Sequence, residues 1–277
     1  MRPRAQRIGA ALRPLSLLQY SIKFAGPWLA LLALAGCASA PDSAAPSWPT
    51  AGPLAAWSPR ALPGKAQTRY VMSAREGRPC IEATSEHAAS LLRRKLDLLP
   101  DQISRIEFDW WIDRGPTVPS DEPSPPDDAA ARIVLAFDGD EARLPLKDRL
   151  LFELARSITG ESPPFASLIY AWDPHLPINV PRASERSDRL RKIVVAGAHQ
   201  PPGAWQHLRR DLMEDFRLAY GEAPGRLVGL GVMTDSDNTA SLAQACYGDI
   251  RLYDHDGRLL DGSLLLPASP LALGNSP

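Results

Sequence analysis

An acidic turn near the carboxyl end of the chain carries the side chains best suited to binding a cation, Asp235, Asp237 and Asn238. Carboxylate and amide oxygens are the ligands that hard cations such as calcium prefer. The spacing differs from that of an EF-hand loop, because Ala240 stands where that loop requires a glycine. Asp and Asn side chains also stabilise turns by accepting hydrogen bonds from nearby backbone amides. We expect this structural role and no required cofactor, with calcium binding as the alternative.

A second acidic group, Asp127 and Asp128, follows a proline-rich loop, and Arg132 lies on the strand predicted behind it. These three side chains would suit a sugar hydroxyl or a cation. They would equally suit the solvated end of a loop held by an ion pair, although an exposed pair stabilises a fold by only about 0–1 kcal/mol. The sequence leaves both interpretations open.

Aromatic rings and charges alternate along two predicted strands. In residues 103–113, Trp111 lies on the polar side of the strand beside Glu107 and Asp109. Alternation in residues 246–253 places a second set on one face: Tyr247, Asp249, Arg251 and Tyr253. Rings fringed by carboxylates and an arginine are typical of a surface that binds a sugar or a peptide.

The strand predicted over residues 227–234 has Gly229 and Gly231 on the same face, and the acidic turn joins it to the strand at 246–253. Two glycines in a strand let another group approach the backbone closely. Beside a surface of rings, they would form the floor of a binding site. The alternative is that the rings pack beneath helices and the glycines accommodate a tryptophan.

Short strand-like runs recur at turn-separated intervals over residues 67–257. This pattern predicts one all-β domain, a two-sheet sandwich with one or two short inserted helices. Helical spacing of apolar residues marks residues 147–158 and 212–220. On the clearest strand, four side chains are expected to face the core: Ile106, Phe108, Trp110 and Ile112. The alternative is an α+β domain with a single sheet.

An ordered series of residues resembles a known family. The series comprises Trp110-Trp111, Asp127-Asp128 with Arg132 and Phe137, Tyr170-Ala171-Trp172, Trp205, Asp211, Asp215-Phe216, Met233 to Thr239, and Tyr247-Gly248-Asp249-Ile250. Residues 67–254 are thereby similar to domain of unknown function family 3047, which occurs in secreted and lipid-anchored bacterial proteins. The family has no established activity, so the resemblance implies no catalytic residue. Its strand order and Gly-Asp-Ile ending resemble jelly-roll carbohydrate-binding modules of the galactose-binding type, which implies a jelly-roll-like sandwich.

The amino terminus has the features of a secretory signal. Residues 1–36 contain five basic residues and no acidic one, and the apolar run ends in Leu34-Ala35-Gly36-Cys37. This ending resembles the bacterial lipobox, at which Cys37 is lipidated and becomes the first residue of the mature chain. Ala38 follows, so the resemblance implies a lipid anchor in the outer membrane of a Gram-negative-type bacterium, with the domain facing the periplasm. The alternative is an ordinary signal peptide with a chance cysteine.

Composition describes the remaining segments and limits the partners. Residues 37–66 are rich in Ala, Pro and Ser, which predicts an extended tether, and residues 258–277 are expected to form a loose tail. Removal of residues 1–36 takes away five of the 31 basic residues and none of the 32 acidic ones, which leaves a formal charge of −6. This balance argues against a nucleic-acid partner. Cys80 and Cys246 remain in a compartment that permits disulfides, and the sequence leaves open whether they are bridged.

We therefore expect a non-catalytic module that binds a glycan or another envelope component. The sequence lacks a nucleophile elbow, a His-Glu-x-x-His motif, a phosphate loop and a dinucleotide fingerprint. One alternative is a glycan-acting hydrolase, if the carboxylates of Glu107, Asp109 and Asp249 face one groove. The other is a structural or assembly subunit whose exposed aromatic residues bind another protein.

Overall fold

The computed structural model describes residues 49, 52, 54–117 and 127–267, and the signal segment, Cys37 and most of the predicted tether lie outside them. The described strands are β1 (Trp57–Ala61), β2 (Arg69–Arg75), β3 (Arg78–Glu86), β4 (Ala89–Leu98), β5 (Arg105–Arg114), β6 (Ala129–Phe137), β7 (Ala166–Trp172), β8 (Pro181–Ala183), β9 (Leu190–Ala196), β10 (Trp205–Arg210), β11 (Leu227–Asp235) and β12 (Leu242–Tyr253). The described helices are α1 (Leu146–Thr159) and α2 (Leu212–Tyr220), with short 3₁₀ turns at Pro100–Gln102 and Glu141–Arg143.

The strands form two sheets that pack face to face. The seven-stranded sheet has the order β1-β4-β11-β6-β7-β9-β8, and the five-stranded sheet has the order β10-β5-β12-β3-β2. The chain passes from one sheet to the other seven times: between β1 and β2, β3 and β4, β4 and β5, β5 and β6, β9 and β10, β10 and β11, and β11 and β12. Repeated crossing between two sheets is typical of a jelly roll. The predicted all-β, jelly-roll-like sandwich with two short helices is confirmed.

Period-two alternation determines which side chains enter the core. The inward residues of β5 are fully buried as predicted, and Phe108 stacks on Tyr170 of the opposite sheet with 5.8 Å between ring centroids. The same alternation leaves every second residue of each strand on an outer face. The candidate binding residues that do not enter the core therefore lie on the two outer faces or, for Asp127, Asp128, Asp237 and Asn238, in connections between strands.

The last two long strands do not form a hairpin. β11 lies in the middle of the seven-stranded sheet, between β4 and β6, whereas β12 lies in the middle of the five-stranded sheet. The acidic turn therefore crosses from one sheet to the other. As a consequence, Gly229 and Gly231 are on the opposite side of the molecule from the polar face of β12.

The folded part is longer at both ends than the sequence predicts. β1 pairs with β4, and Leu54 and Trp57 are buried, so the carboxyl-terminal part of the predicted tether belongs to the sandwich. At the other end Leu264 is buried and exchanges backbone hydrogen bonds with Ile250 of β12. Both errors have one reason: a few apolar side chains within Pro-, Ala- and Ser-rich segments suffice to fix those segments to the core.

The two helices differ in what they bury. Helix α2 places Leu212 and Phe216 in the core and ends at Gly221, whose φ of 70° is the left-handed conformation that glycine favours. Helix α1 buries Phe152, whereas Leu150 is 62% exposed. No helix in the described part of the chain is both long enough and apolar enough to cross a membrane.

Candidate functional site

A groove of about 690 Å³ runs over the outer face of the seven-stranded sheet. Its floor consists of outward-facing residues of β4, β6, β7 and β11, which are mostly small or aliphatic: Leu91, Val134, Ala136, Ile169, Gly229, Gly231 and Met233. On the same strand β11, the residues between the glycines and after them, Leu230 and Val232, point into the core. The groove is therefore a direct product of alternation on a central strand.

Gly229 and Gly231 set the depth of this floor. A Cβ atom at Gly229 would lie 3.3 Å from the Cβ of Ala136, and one at Gly231 would lie 3.2 Å from the backbone oxygen of Leu92. Both contacts are tighter than ordinary van der Waals packing, so larger residues would raise the floor and press on the neighbouring strands. The predicted glycine floor exists, but it belongs to this groove and not to the aromatic surface.

At one end of the groove, three cations surround one carboxylate. Arg93 donates a hydrogen bond of 2.5 Å to Glu161, and the side chains of Arg60 and Lys95 lie 3.7 and 3.8 Å from the same carboxylate. The hydrogen bond from Arg93, together with the nearby positive charges, lowers the pKa of Glu161. This end therefore presents hydrogen-bond donors and a permanently ionised acceptor.

At the other end, Arg132 of β6 is buried among acidic groups. Its Nη1 lies 3.1 Å from Asp235 Oδ2, and its Nη2 donates to the backbone oxygen of Asp127. Burial raises the pKa of Asp235 to about 7, and the charge of Arg132 opposes this shift only in part. Burial also opposes ionisation of Asp127, but the charges of Arg132 and Lys192 outweigh it and lower the pKa of Asp127.

The acidic turn and the Asp127-Asp128 pair, which the sequence treats as two separate candidates, meet at this end. Asp128 accepts hydrogen bonds from the amide group of Asn238 at 2.7 Å and from both the backbone nitrogen and the hydroxyl of Thr239, at 2.7 and 2.6 Å. Asp235 accepts a further bond of 3.0 Å from the backbone nitrogen of Ala129. The carboxylates hold the turn against β6, which is the structural role that we expect for Asp and Asn side chains in turns.

Carboxylate oxygens of Asp128, Asp235 and Asp237 lie within 4.8 Å of one another, a spacing that could hold a cation. Each is already bonded to the protein, and two of the partners are cations: Arg132 contacts Asp235, and Lys65 contacts Asp237. The positive charges of Arg132 and Lys65 therefore offset part of the negative charge of the group. Neither Asp235 nor Asp128 has more than 7% of its surface exposed, so the cluster is an internal network of the turn.

The remaining candidates lie on the outer face of the five-stranded sheet, away from the groove. There Asp109 is buried and lies within 3.3 Å of nitrogen atoms of Arg78, His207 and Arg251. Asp249 contacts Arg251 at 2.5 Å, and Glu107 contacts Arg105 at 2.9 Å. All three carboxylates are therefore in contact with arginine side chains.

Two aromatic candidates on this face are half-buried and already have partners. Trp111 donates a hydrogen bond to Asp113 and meets Trp205 edge-on, with 6.1 Å between ring centroids. The guanidinium of Arg105 lies 4.0 Å from the ring centroid of Tyr253. Neither ring lines the groove over the seven-stranded sheet. Their role in binding stays a prediction.

Tyr247 is not on that face: the prediction was wrong for this residue. An extra residue on β12 shifts the register against β5 between Tyr247 and Ile250, and this bulge inverts the alternation. Tyr247 is fully buried, and its hydroxyl lies 2.6 Å from the backbone oxygen of Met233. Gly248 is required in the bulge because a Cβ atom there would lie 2.9 Å from the Cβ of Asp109.

The two cysteines that the sequence leaves open form a disulfide. Cys80 of β3 and Cys246 of β12 are bridged, with their Cα atoms 5.6 Å apart, and both are fully buried. The bridge links neighbouring strands of the five-stranded sheet. It has no contact with the groove and serves the fold.

Sequence reasoning missed most of the groove. Val134 and Ala136 lie on a strand whose sequence is apolar on both faces. Arg93 and Glu161 belong to no recognisable sequence motif. The signals that pointed to the groove were the glycine pair on β11 and the candidates at one of its ends: Asp127, Arg132, Asp235, Asp237 and Asn238. A glycine pair on a central strand marks a low floor, but which strands flank it depends on long-range pairing.

Comparisons with known proteins give a family and several distant fold likenesses. No curated protein matches the chain. Two structures of a family 11 carbohydrate-binding module from Clostridium thermocellum are similar to this chain. The first is the module of the cellulosomal cellulase Lic26A-Cel5E, with 8% identity, coverage of 72% of this chain and 87% of that chain, and a TM-score of 0.37. The second is the module in complex with a β-1,3-1,4-mixed-linked tetrasaccharide, with 10% identity, coverage of 72% of this chain and 89% of that chain, and a TM-score of 0.36. A family 11 xylanase from Neocallimastix patriciarum is similar at 12% identity, with 72% of this chain and 99% of that chain covered and a TM-score of 0.31.

The family assignment rests on a separate match, to a family model. The family model described as protein of unknown function (DUF3047) matches residues 55–251. The match begins at β1 and ends within β12, so it spans both sheets and the whole groove. The chain belongs to the DUF3047 family.

Proposed function

We propose that this protein is a non-catalytic module of the bacterial cell envelope that binds a glycan in the groove over the seven-stranded sheet. The observation that carries the proposal is the groove itself, an open channel of about 690 Å³ with an aliphatic floor between two charged ends. This volume lies within the range of about 300–1,000 Å³ that is usual for ligand sites.

The chemistry of the groove suits a sugar chain. Its floor of Val134, Ala136 and Ile169 offers an apolar surface to the C–H faces of sugar rings. Its ends offer donors and acceptors side by side, such as Arg93 and Glu161, and sugar hydroxyls both donate and accept hydrogen bonds. Because aliphatic side chains replace aromatic rings on the floor, polar contacts at the rim would supply most of the recognition.

The carboxylates at the acidic end of the groove already have hydrogen-bond or ion-pair partners within the protein, which supports binding over hydrolysis. Asp128 accepts bonds from the acidic turn, Asp235 from Ala129 and Arg132, and Asp237 contacts Lys65. A general acid or nucleophile needs an oxygen free to reach the substrate. One observation favours the hydrolase as a second candidate: the pKa of Asp235, raised to about 7 by burial, is in the range of a general acid.

A blocked groove tests the proposal. Ala136→Phe adds a ring to the floor beside Gly229, and we expect retention on an array of envelope glycans to fall at least about tenfold. Val71→Phe makes a similar change on the outer face of the five-stranded sheet and should leave retention unchanged. Both variants should fold, because both positions are half-buried and face outward.

The same experiment separates the candidates. If Ala136→Phe binds as well as the wild type does, the groove is not the binding site. Release of reducing ends from a bound glycan, lost in Asp235→Asn, would establish the hydrolase instead. Binding with calcium and with a chelator should be equal, since Arg132 and Lys65 already neutralise the acidic cluster; a gain with calcium would make that cluster a metal site.

Residues 1–37 support the envelope location. Their basic start, apolar run and Leu-Ala-Gly-Cys ending favour a lipid anchor at Cys37, with Ala38 favouring the outer membrane. We expect Cys37→Ser to abolish lipidation and to leave an unprocessed or soluble product, as measured by membrane fractionation and mass spectrometry. A Cys37→Ser product that still fractionates as an acylated outer-membrane protein would show that the lipobox interpretation is wrong.

A further inference from the structure

The groove continues into a second recess of about 490 Å³. Six residues line both, so a chain that lies in the groove would pass directly over the recess: Asp127, Arg132, Ile169, Arg186, Leu190 and Asn238. The walls of the recess come from β6, β8 and β9 and from the loop between β8 and β9. Its charged residues differ in balance from those of the groove.

Positive charge is in excess in this recess. Its ionisable residues are four cations and two carboxylates: Arg132, Arg182, Arg186 and Lys192 against Asp127 and Glu185. Asp127 forms ion pairs with two of the cations, at 2.8 Å from Lys192 and 3.5 Å from Arg132. Asp173, outside the recess, lies 3.9 Å from Lys192. A surplus of positive charge is notable in a chain with a formal charge of −1.

Two of these cations are within 4.0 Å of no carboxylate in the described part of the chain. Within residues 54–117 and 127–267, Arg182 and Arg186 form no ion pair, although both side chains are exposed. Most other arginines on the two outer faces are paired with a carboxylate, as Arg93 is with Glu161. The charge of Arg186 acts on Asp127 and helps to lower its pKa. Both guanidinium groups line the same recess, so both would attract an anion bound there.

Behind them, Arg132 forms a fixed positive wall. It is 5% exposed, and its Nε has no acceptor among the described residues. Its Nη atoms are held by Asp235 and Asp127, so the guanidinium cannot turn away to solvent. Asp235 and Asp127 offset the charge of Arg132, but its Nε stays an unused donor, and a hydrogen bond to it would be strong because the surrounding protein screens charge less than water does.

We propose that this recess is a subsite for an anionic group, a carboxylate or a phosphate, on the glycan that lies in the groove. The inference rests on the proposed function and adds its substrate class: an acidic glycan. Guanidinium groups recognise carboxylates and phosphates through paired hydrogen bonds, which is the chemistry that Arg182 and Arg186 can supply. Because both are exposed, binding is expected to weaken as the salt concentration rises.

The test compares each acidic polymer with its own neutral form. The full chain is assayed by affinity electrophoresis against polygalacturonate and alginate, against the same polymers after reduction of their carboxyl groups, and against a poly(glycerol phosphate). We expect retention on at least one acidic polymer to exceed that on neutral polymers by about tenfold, the ratio that two partly screened charge pairs give. Preference for uronate polymers or for poly(glycerol phosphate) identifies the carboxylate or the phosphate as the anion.

Matched variants then assign this preference to the recess. Arg182→Gln with Arg186→Gln should abolish the preference for acidic polymers and leave the melting temperature unchanged. Arg209→Gln with Arg258→Gln removes the same charge at side chains that are 69% and 77% exposed outside both recesses, and should keep the preference. Equal retention of acidic and neutral polymers, or an unaltered preference in the Arg182 and Arg186 variant, overturns the subsite alone. If the wild type retains no polymer, the proposed function fails and the subsite with it.

Discussion

Arg132 and Asp235 form an ion pair beneath one end of the groove, and neither side chain is more than 5% exposed. Taking two charges out of water costs several kcal/mol per ion, so such a pair rarely adds net stability. Its effect is geometric: Arg132 holds Asp127 in place, and Asp235 binds the start of β6 through Ala129. The pair therefore fixes the end of the groove at which the acidic turn lies.

The pH dependence of stability should report the charge state of Asp235. Its pKa in the folded protein is about 7, above the ordinary value of 3.8, so the folded state retains a proton that the unfolded state releases. The contribution of Asp235 is then fully present below about pH 4 and is lost as the pH rises through 7. We expect the difference in unfolding free energy between the wild type and Asp235→Asn to shrink over this window, as measured by urea denaturation.

The opposite trend would contradict this prediction. A difference that grows between pH 4 and pH 7 would mean that Arg132 keeps Asp235 ionised. The other shifted carboxyl groups act in a different window, since the lowered pKa values of Glu107, Asp127 and Glu161 affect stability only as the pH falls toward and below their ordinary values of 4.5 and 3.8. The effect of Asp235 on stability can therefore be measured between pH 4 and pH 7, apart from the effects of Glu107, Asp127 and Glu161 at lower pH.

At the scale of elements, helix α1 shows that a helical pattern does not by itself identify a buried face. The spacing of its apolar residues predicts the helix correctly, but Leu146, Leu150, Leu154 and Ile158 are all more than half exposed. The contact with the sandwich is made by Phe152, which is 6% exposed. One aromatic anchor thus positions the helix and the segment after it, which carries Glu161 to the groove.

Substitutions on α1 should separate the anchor from the exposed stripe. Leu150→Gln with Leu154→Gln is expected to change the free energy of unfolding by no more than about 0.5 kcal/mol per site, because both side chains are exposed and glutamine is a good helix former. Phe152→Ala should cost about 3 kcal/mol or more, since it leaves a cavity under the helix. Both are measured by chemical denaturation. A double leucine variant as destabilised as Phe152→Ala would show that the stripe is packed in solution.

At the scale of the whole molecule, the pattern of residues along each strand predicted the fold class but did not predict which strands pair with one another. Strict alternation placed the faces of β5 correctly because that strand is regular. It failed on β12, where one extra residue near Gly248 turns Tyr247 inward. Local pattern also cannot say which strands become neighbours. Asp128 and Asp235 were therefore found separately, and their meeting at one end of the groove depends on the pairing of β6 with β11.

The disulfide is also a long-range feature that local sequence pattern does not predict, because it links residues 166 positions apart in the chain. Cys80 and Cys246 join β3 to β12, the strand on which the bulge and the buried Tyr247 lie. A cross-link that closes so long a loop restricts the unfolded chain strongly. The bridge therefore acts on the stability of the entire sandwich, although it makes no contact with the groove.

Removal of the bridge should lower stability without altering ligand retention. Cys80→Ala with Cys246→Ala is expected to cost about 2–5 kcal/mol, the usual range for a native disulfide in a secreted domain, and alanine avoids burying a new hydroxyl. Urea denaturation measures the cost, and the reductant-treated double variant is the control, since it has no bridge to lose. Because both sulfurs are fully buried, the wild type should resist reduction until the sandwich opens. A double variant as stable as the wild type would mean that packing between β3 and β12 alone fixes the sheet.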